Sequence, residues 1–488
     1  MIFVGRGFLV RRPFRYSEIL ELFIHAIERG TYVPGDRLPS LRQLMSEKKI
    51  SQATATRVMV ELETRGYIIA QPRSGFVVRS RRNQSVEGDA GLDVPNATES
   101  SGSASPVNIQ ALTSELFKAF ATPNLIALGA AEIDPGLLPF AELAAANLRA
   151  LRKNGPKIYE THNPHGILAL RQAIARLMSR KGMSVTPDEV IITAGETDAM
   201  ALSLRAITKP GDTVAVESPT FFGILQEIEI AGLKAVEIAT DPRTGIDVDD
   251  LIRTADEIGF QAVILNPTFE NPFGCSMQPY ALRAVAEAMA ARGIPVIEDD
   301  VYSDLSFHGR PVHSLASFDQ AQNTIYCASF SKTVSPGLRI GWCVPGRHLD
   351  EIRRLQELRP ATVSTLPQYM LADYLSGRRY VQHLNRLREV FASQQQAIRQ
   401  IIRDHFPIGT TATAPEGGFL FWVEIPPPFD AMVFYQKALN AGISIAPGPI
   451  FSASGRFKRA FRISVGRKLT IDIERALQAL GRIAHLDI

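Results

Sequence analysis

Ser329-Phe330-Ser331-Lys332-Thr333-Val334-Ser335-Pro336-Gly337-Leu338-Arg339 sets one lysine among small hydroxyl residues, with a glycine and an arginine close behind. A lysine so placed suits Schiff-base chemistry. Its amine can condense with an aldehyde cofactor, while the hydroxyls and the arginine hold a phosphate. Short apolar runs flank the segment, 324–328 before it and Gly341–Val344 after it. Farther out, the runs 190–193, 213–216, Ala262–Leu265 and 296–297 alternate with Ala- and Leu-rich stretches at 197–207, 221–231 and 279–292. That alternation predicts an α/β domain over 107–488, with a largely parallel sheet covered by helices on both faces.

The N-terminal part is patterned differently. Tyr16, Ile19, Leu20, Phe23, Ile24 and Ile27 recur at helical spacing, and Gly30 ends that helix. Pro34-Gly35-Asp36 signals a turn, and Ser40 is the N-cap of a second helix running to about Lys48. Ser51 caps a third helix from Gln52 to Arg65, which Gly66 stops. Two short strands, 67–70 and Gly75–Val78, follow around a turn at 72–75. Three helices and a hairpin over 13–79 make a winged helix-turn-helix. Residues 80–106 hold arginines followed by Ser, Gly, Asn, Asp, Ala and Pro with few large apolar side chains, and read as a flexible linker.

Composition narrows the class. The chain has 488 residues, 45% hydrophobic and 21% charged, enough for several globular domains. A net charge of +3 means that any nucleic-acid affinity is local. The three cysteines, Cys275, Cys327 and Cys343, fit neither a zinc pattern nor a disulfide framework, so no metal site is expected and a cytoplasmic setting is. No apolar run reaches membrane-spanning length, and the basic segment 1–14 lacks the apolar core of a signal peptide.

The run Gly35-Asp36-Arg37-Leu38-Pro39-Ser40-Leu41-Arg42-Gln43-Leu44, with 51–57 and 62–67, resembles the GntR-type winged helices. In that setting Ser51, Gln52, Thr54 and Thr56 meet base edges or phosphates at the start of the third helix. Arg37, Arg42 and Arg57 add phosphate contacts, Ser40 belongs to the same DNA-binding set, and Arg73 beside Gly75 probes the minor groove. Gln52 departs from the family, where arginine is usual. Glutamine favours adenine where arginine favours guanine, so the operator sequence stays open.

From residue 107 onward the chain resembles the fold type I pyridoxal-phosphate enzymes of the aspartate aminotransferase superfamily. The resemblance implies a large α/β domain with a smaller C-terminal lobe, and pyridoxal 5'-phosphate on Lys332. Ser329 and Arg339 would bind its phosphate. In Val296-Ile297-Glu298-Asp299-Asp300-Val301-Tyr302 an apolar strand ends in acids, where open α/β sheets place ligands. Asp299 fits the carboxylate that pairs with the pyridine nitrogen, with Asp300 as the competitor, and Tyr302 would bond the ring hydroxyl. Asn271, in Glu270-Asn271-Pro272-Phe273-Gly274, would donate to the same hydroxyl, and Phe221 would stack on the ring.

Thr193-Ala194-Gly195-Glu196-Thr197-Asp198 joins a strand to a helix, whose first amides cradle phosphate. Gly195 permits close approach, and the amides of Glu196 and Thr197 would donate. Glu196 is unusual there, because a carboxylate repels phosphate unless its side chain turns away. Tyr159 matches a residue that reaches the partner subunit's phosphate, which implies a head-to-tail homodimer. Arg462, in Phe461-Arg462-Ile463-Ser464, resembles the arginine that grips a substrate α-carboxylate, and Gly129 falls near the same carboxylate.

Together the two halves resemble the MocR/GabR-type regulators. The implied function is a DNA-binding transcriptional regulator, acting on a double-stranded operator and sensing an amino acid or amine by aldimine exchange at Lys332, or sensing the cofactor itself. The alternatives are a metabolic aminotransferase in which Lys332 shuttles protons, and a cofactor-free sensor.

Overall fold

The computed structural model describes residues 15–28, 32, 36–48, 50–64, 67–71, 75–78, 92–160, 164–309, 312–359 and 363–486. Expectations for Gly30, Pro34, Gly35, Arg65, Gly66, Arg73 and residues 80–91 lie outside these. The chain divides into an N-terminal unit, Met1–Ala90, and a larger unit from Gly91 onward.

In the N-terminal unit, helices Arg15–Glu28, Leu41–Lys48 and Gln52–Thr64 precede the antiparallel strands Ile68–Gln71 and Gly75–Val78. The helical spacing of the apolar residues is what builds its core. Leu20, Phe23 and Ile24 pack with Leu44, Val58, Met59 and Leu62, and Ile68 and Val78 of the hairpin close the cluster.

The larger unit holds a nine-stranded mixed sheet. Its main path runs Ser105–Pro106, Lys234–Asp241, Thr213–Ser218, Ala262–Leu265, Val296–Asp299, Thr324–Ser329, Gly341–Val344, Ile191–Thr193. The five strands from Lys234–Asp241 to Thr324–Ser329 are parallel neighbours, and Gly341–Val344 is antiparallel to both of its own. Helices on both faces bury the central strands completely, which explains their near-continuous apolar runs. A smaller antiparallel sheet carries Thr411–Ala412, Leu420–Glu424, Ala460–Ser464 and Ala446–Pro447, packed beside helices Arg379–His405, Ala431–Asn440 and Ile471–His485. Among the described residues no helix is long and apolar enough to cross a membrane.

The segment read as a flexible linker is different over 92–106, where it is held against the larger unit. Asp93 accepts from Ala412 N, the Leu92 carbonyl accepts from Arg399, and Thr98 exchanges backbone and hydroxyl hydrogen bonds with Thr240 and Ser218. Ser105–Pro106 then pairs with the sheet edge at Lys234 and Ala235. Backbone pairing and Thr and Ser hydroxyls hold this strap, so its low hydropathy gave no sign of order. The strap touches both the small lobe and the main sheet.

Candidate cofactor pocket and nucleic-acid interface

Lys332 and Gly195 follow strands of the main sheet that end at Ser329 and Thr193, and Asp299 is the last residue of its own strand. Three distant segments of sequence therefore meet at one edge, where open α/β sheets bind ligands.

Lys332 is half-buried and donates from Nζ to the Ala131 carbonyl at 2.6 Å. Burial, reinforced by the Arg462 guanidinium, pushes its amine down to about 8, while Glu132, Asp299 and Glu196 pull the other way. Near neutral pH a fraction of the amine is free base, as a nucleophile requires. Glu132 and Ala131 carried no motif in the sequence, and only the fold brings them here.

The two acids at the end of Val296–Asp299 have separate fates. Asp300 Oδ2 lies 2.8 Å from Lys181 Nζ and accepts the Tyr326 hydroxyl at 2.7 Å, while its Oδ1 accepts Ser303 N. Burial works against its charge, but Lys181 and these donors hold its carboxyl below the ordinary value. Asp299 is also buried, yet its Oδ1 has no partner. Burial pushes its carboxyl well above the usual range, with Glu196, Asp300 and Glu217 adding to the rise. One acid is closed off by its own network, and the other keeps an open acceptor.

Asn266 ties this strand to the Asn271 turn. Its Nδ2 donates to the Asp299 carbonyl at 2.6 Å and its Oδ1 accepts Asn271 N at 2.8 Å. Tyr302 is buried edge-on against Phe419, with ring centroids 5.5 Å apart. Glu217 and Glu270 are buried beside them, each with one oxygen on a backbone amide and one unpartnered. Burial pushes Glu217 up to about 8 and Glu270 well above its ordinary value. Glu270 precedes Asn271 in the turn, and Glu217 carries no motif in the sequence.

Arg462, on the strand Ala460–Ser464, is completely buried. It donates from Nη1 to Asn271 Oδ1 at 2.7 Å and from Nη2 to the Gly129 carbonyl at 2.5 Å. Its Nε has no partner. The guanidinium lies over Phe451 and Phe222, 5.1 and 5.8 Å from the ring centroids. Both hydrogen-bonded partners are neutral, and burial lowers its pKa to about 10. Gly129 is required, since a Cβ there would meet the Ile445 carbonyl carbon at 2.4 Å.

The loop from Thr193 to the helix Glu196–Ile207 forms a cradle. Gly195 is left-handed, with φ 102°, and gives the helix no side-chain cap. A Cβ at Gly195 would meet Arg339 Nη2 at 2.6 Å, and that nitrogen donates to the Ala194 carbonyl. Ser329 is buried, with its Oγ accepting Ser331 N, and Thr197 is exposed at the helix start. Glu196 is 8% exposed, with Oε1 unpartnered. Phe221 is half-buried and packs 4.7 Å from Phe222. Tyr159 is 78% exposed, and the single chain does not bring it into the pocket.

These residues suit a phosphorylated aldehyde with a protonatable ring. An amine with lowered basicity, an open buried carboxyl at Asp299 and a glycine-arginine cradle lie at one sheet edge. Two acids stand at this helix start: Asp198 accepts Ala194 N, while Glu196 keeps a buried carboxyl oxygen without a partner.

In the N-terminal unit, Ser40 Oγ accepts Gln43 N at 3.3 Å and Ser40 N donates to Gln43 Oε1, so Ser40 caps its helix. Ser51 Oγ accepts Thr54 N at 3.2 Å and shares a hydrogen bond with the Thr54 hydroxyl. Arg37, Arg42, Gln52 and Arg57 are exposed, Thr54 and Thr56 half-buried. Ala55, Val58, Met59 and Leu62 turn the opposite face of Gln52–Thr64 into the core. Gly75 opens the second hairpin strand.

Residues 15–78 match the model of bacterial regulatory proteins of the gntR family, and residues 123–480 that of aminotransferase class I and II. Over 470 residues the chain is 35% identical to the HTH-type transcriptional regulator YdcR of Escherichia coli, covering 96% of this chain and 98% of that one. It is 32% identical to YjiR of the same organism, over 96% and 99%. Among solved structures, it resembles LysN, the α-aminoadipate aminotransferase of Thermus thermophilus complexed with N-(5'-phosphopyridoxyl)-L-leucine. That match has 26% identity and TM-score 0.70, over 76% of this chain and 94% of that chain. Kynurenine aminotransferase of Pyrococcus horikoshii matches at 25% identity and TM-score 0.72, over 78% and 97%. The aminotransferase fold is the pyridoxal-phosphate-dependent fold type I. A reader of DNA and a fold of amino-group chemistry thus share one chain, which belongs to the MocR/GabR-type transcriptional regulators.

Proposed function

We propose that the larger unit senses an amino compound bearing a carboxylate and that its occupancy controls operator binding by the winged helix. The observation that carries this reading is Arg462, a fully buried arginine whose partners are neutral and whose Nε is left unpartnered. A buried guanidinium in that state suits a ligand carboxylate, which would supply both charge and acceptors.

Lys332, Asp299, Tyr302, Asn271, Phe221, Ser329, Arg339 and the Gly195–Thr197 amides would hold pyridoxal phosphate. Bound there, that group supplies an aldehyde for the ligand amine and a ring that withdraws electrons. Asp299 Oδ1 would hold the proton on the ring nitrogen, since it is buried, unpartnered and placed at the end of the strand Val296–Asp299. Lys332 Nζ would release and take up the proton of the exchanging amine, since its lowered pKa lets both forms exist near pH 8. Arg462 and Gly129 would orient the ligand.

A ligand that touches Arg462 on the small lobe and Lys332 on the large one favours a closed arrangement of the lobes. The strap 92–106 is tied to both, through Ala412 and Arg399 on one side and Ser218 and Thr240 on the other. In sequence the strap follows the DNA-reading unit. A head-to-tail homodimer would place the exposed Tyr159 against the partner's cofactor phosphate. Two winged helices would then meet two half-sites.

Transamination is the second reading, supported by the same lowered basicity of Lys332. The test is a promoter fragment titrated with cofactor-loaded protein, with and without each amino acid that alters its absorbance. A shifted operator affinity supports sensing. Sustained turnover with unchanged operator affinity favours the enzyme.

A further inference from the structure

We propose that Glu196 contacts the cofactor phosphate as a neutral acid, a hydrogen-bond donor inside the cradle, and that its ionisation weakens the hold on that phosphate. This rests on the cofactor reading above and adds a control that the other cradle residues do not provide.

Glu196 is the first residue of the helix Glu196–Ile207, directly after the left-handed Gly195. Its side chain cannot be dismissed as solvated, because the residue is 8% exposed and Oε1 is buried with no partner. Gly195 provides no side-chain cap, and the carboxyl group of Asp198 has turned back to Ala194 N. The cradle therefore holds backbone donors, an arginine and one unmatched carboxyl oxygen. An ionised carboxylate accepts only, and so does a phosphate dianion; the two side by side repel. A protonated carboxyl group donates, and a phosphate oxygen is the acceptor that Glu196 lacks.

Titratable groups face Glu196 from several elements, Tyr302 and Cys327 among them. Lys332 and Arg339 face it from the loop after Thr324–Ser329, Asp299 from the neighbouring strand end, and Glu227 from the helix Phe222–Ile230. Glu227 in turn faces Arg205 and Asp198 of Glu196's own helix. Burial is the largest influence and, with Glu227, outweighs Lys332, Arg339 and the Thr197 hydrogen bond, leaving the Glu196 carboxyl at about 7. Its raised pKa places the neutral, donating form below that pH and the repelling form above it. A phosphate dianion arriving in the cradle raises it further, so binding takes up a proton.

The test uses full-length protein and pyridoxine 5'-phosphate, which has the phosphate but no aldehyde to engage Lys332. Affinity is measured by calorimetry for the wild type and Glu196→Gln, whose amide donates at every pH. Wild-type affinity should fall by up to about thirtyfold more than that of Glu196→Gln between about pH 6 and pH 8.5. Unphosphorylated pyridoxine should show no such difference between the two proteins. Identical pH dependence of pyridoxine 5'-phosphate binding in both overturns the role of Glu196 and leaves the cofactor reading standing. Failure of both proteins to bind it at either pH overturns the cofactor reading itself, and this proposal with it.

Discussion

Lys181 Nζ lies 2.8 Å from Asp300 Oδ2, both buried, while Asp299 next to it in sequence keeps Oδ1 without a partner. One carboxylate is neutralised by the protein and its neighbour is left for something else. Ser303 and Tyr326 complete the Lys181–Asp300 network.

Replacing Lys181 by Met should therefore act on stability. The change leaves Asp300 buried without its cation, a loss of about 3–5 kcal/mol. Denaturant unfolding of the isolated variant measures it. A loss below about 1 kcal/mol would show that Asp300 takes its proton and relaxes at little cost.

Lys332 should capture phosphate-free pyridoxal with a pH profile of its own. The amine is depressed to about 8, so its free base is present above that pH and is lost as pH falls. The initial capture rate should drop about fiftyfold from pH 8 to pH 6 and level off above about pH 9. Stopped-flow absorbance follows it. A rate still climbing at about pH 10 would belong to an ordinary exposed lysine.

Arg462→Met should weaken amino-acid binding by about 2 kcal/mol, roughly thirtyfold, while amines without a carboxylate bind as before. Spectral titration of the cofactor-loaded protein distinguishes the two ligand classes. Equal weakening for both would mean that Arg462 supports the pocket's structure and does not read the carboxylate.

Arg57→Ala should weaken DNA binding across many sequences and reduce the slope of log affinity against log salt by about 1. Gln52→Arg should instead move base preference from adenine towards guanine at one position per half-site. Anisotropy titrations at several salt concentrations and on single-base variants separate the two effects.

Much of this molecule was legible from local pattern. The strand Ala262–Leu265 reads directly because parallel strands covered on both faces must be apolar throughout. The strand Lys234–Asp241 lacks that pattern. It carries Glu237 and ends in Thr and Asp, and sits near the sheet edge where Ser105–Pro106 covers it. The strap 92–106 leaves no apolar pattern for the related reason that hydrogen bonds hold it more than apolar burial.

Within the site, Lys332, Asp299 and Arg462 were named from motifs, because their chemistry fixes residue type and spacing. Lys181 was missed, since it lies 119 residues from Asp300 and only the folded sheet joins them. Glu132, Glu217 and Asn266 belong to the same class, as neighbours in space with no signature in the chain.

Borohydride reduction of cofactor-saturated protein, followed by peptide mapping, tests the central claim most directly. The expected result is a single phosphopyridoxyl label on Lys332, absent from Lys332→Ala. A protein that stays unlabelled, or carries the label on some other lysine, would contradict it.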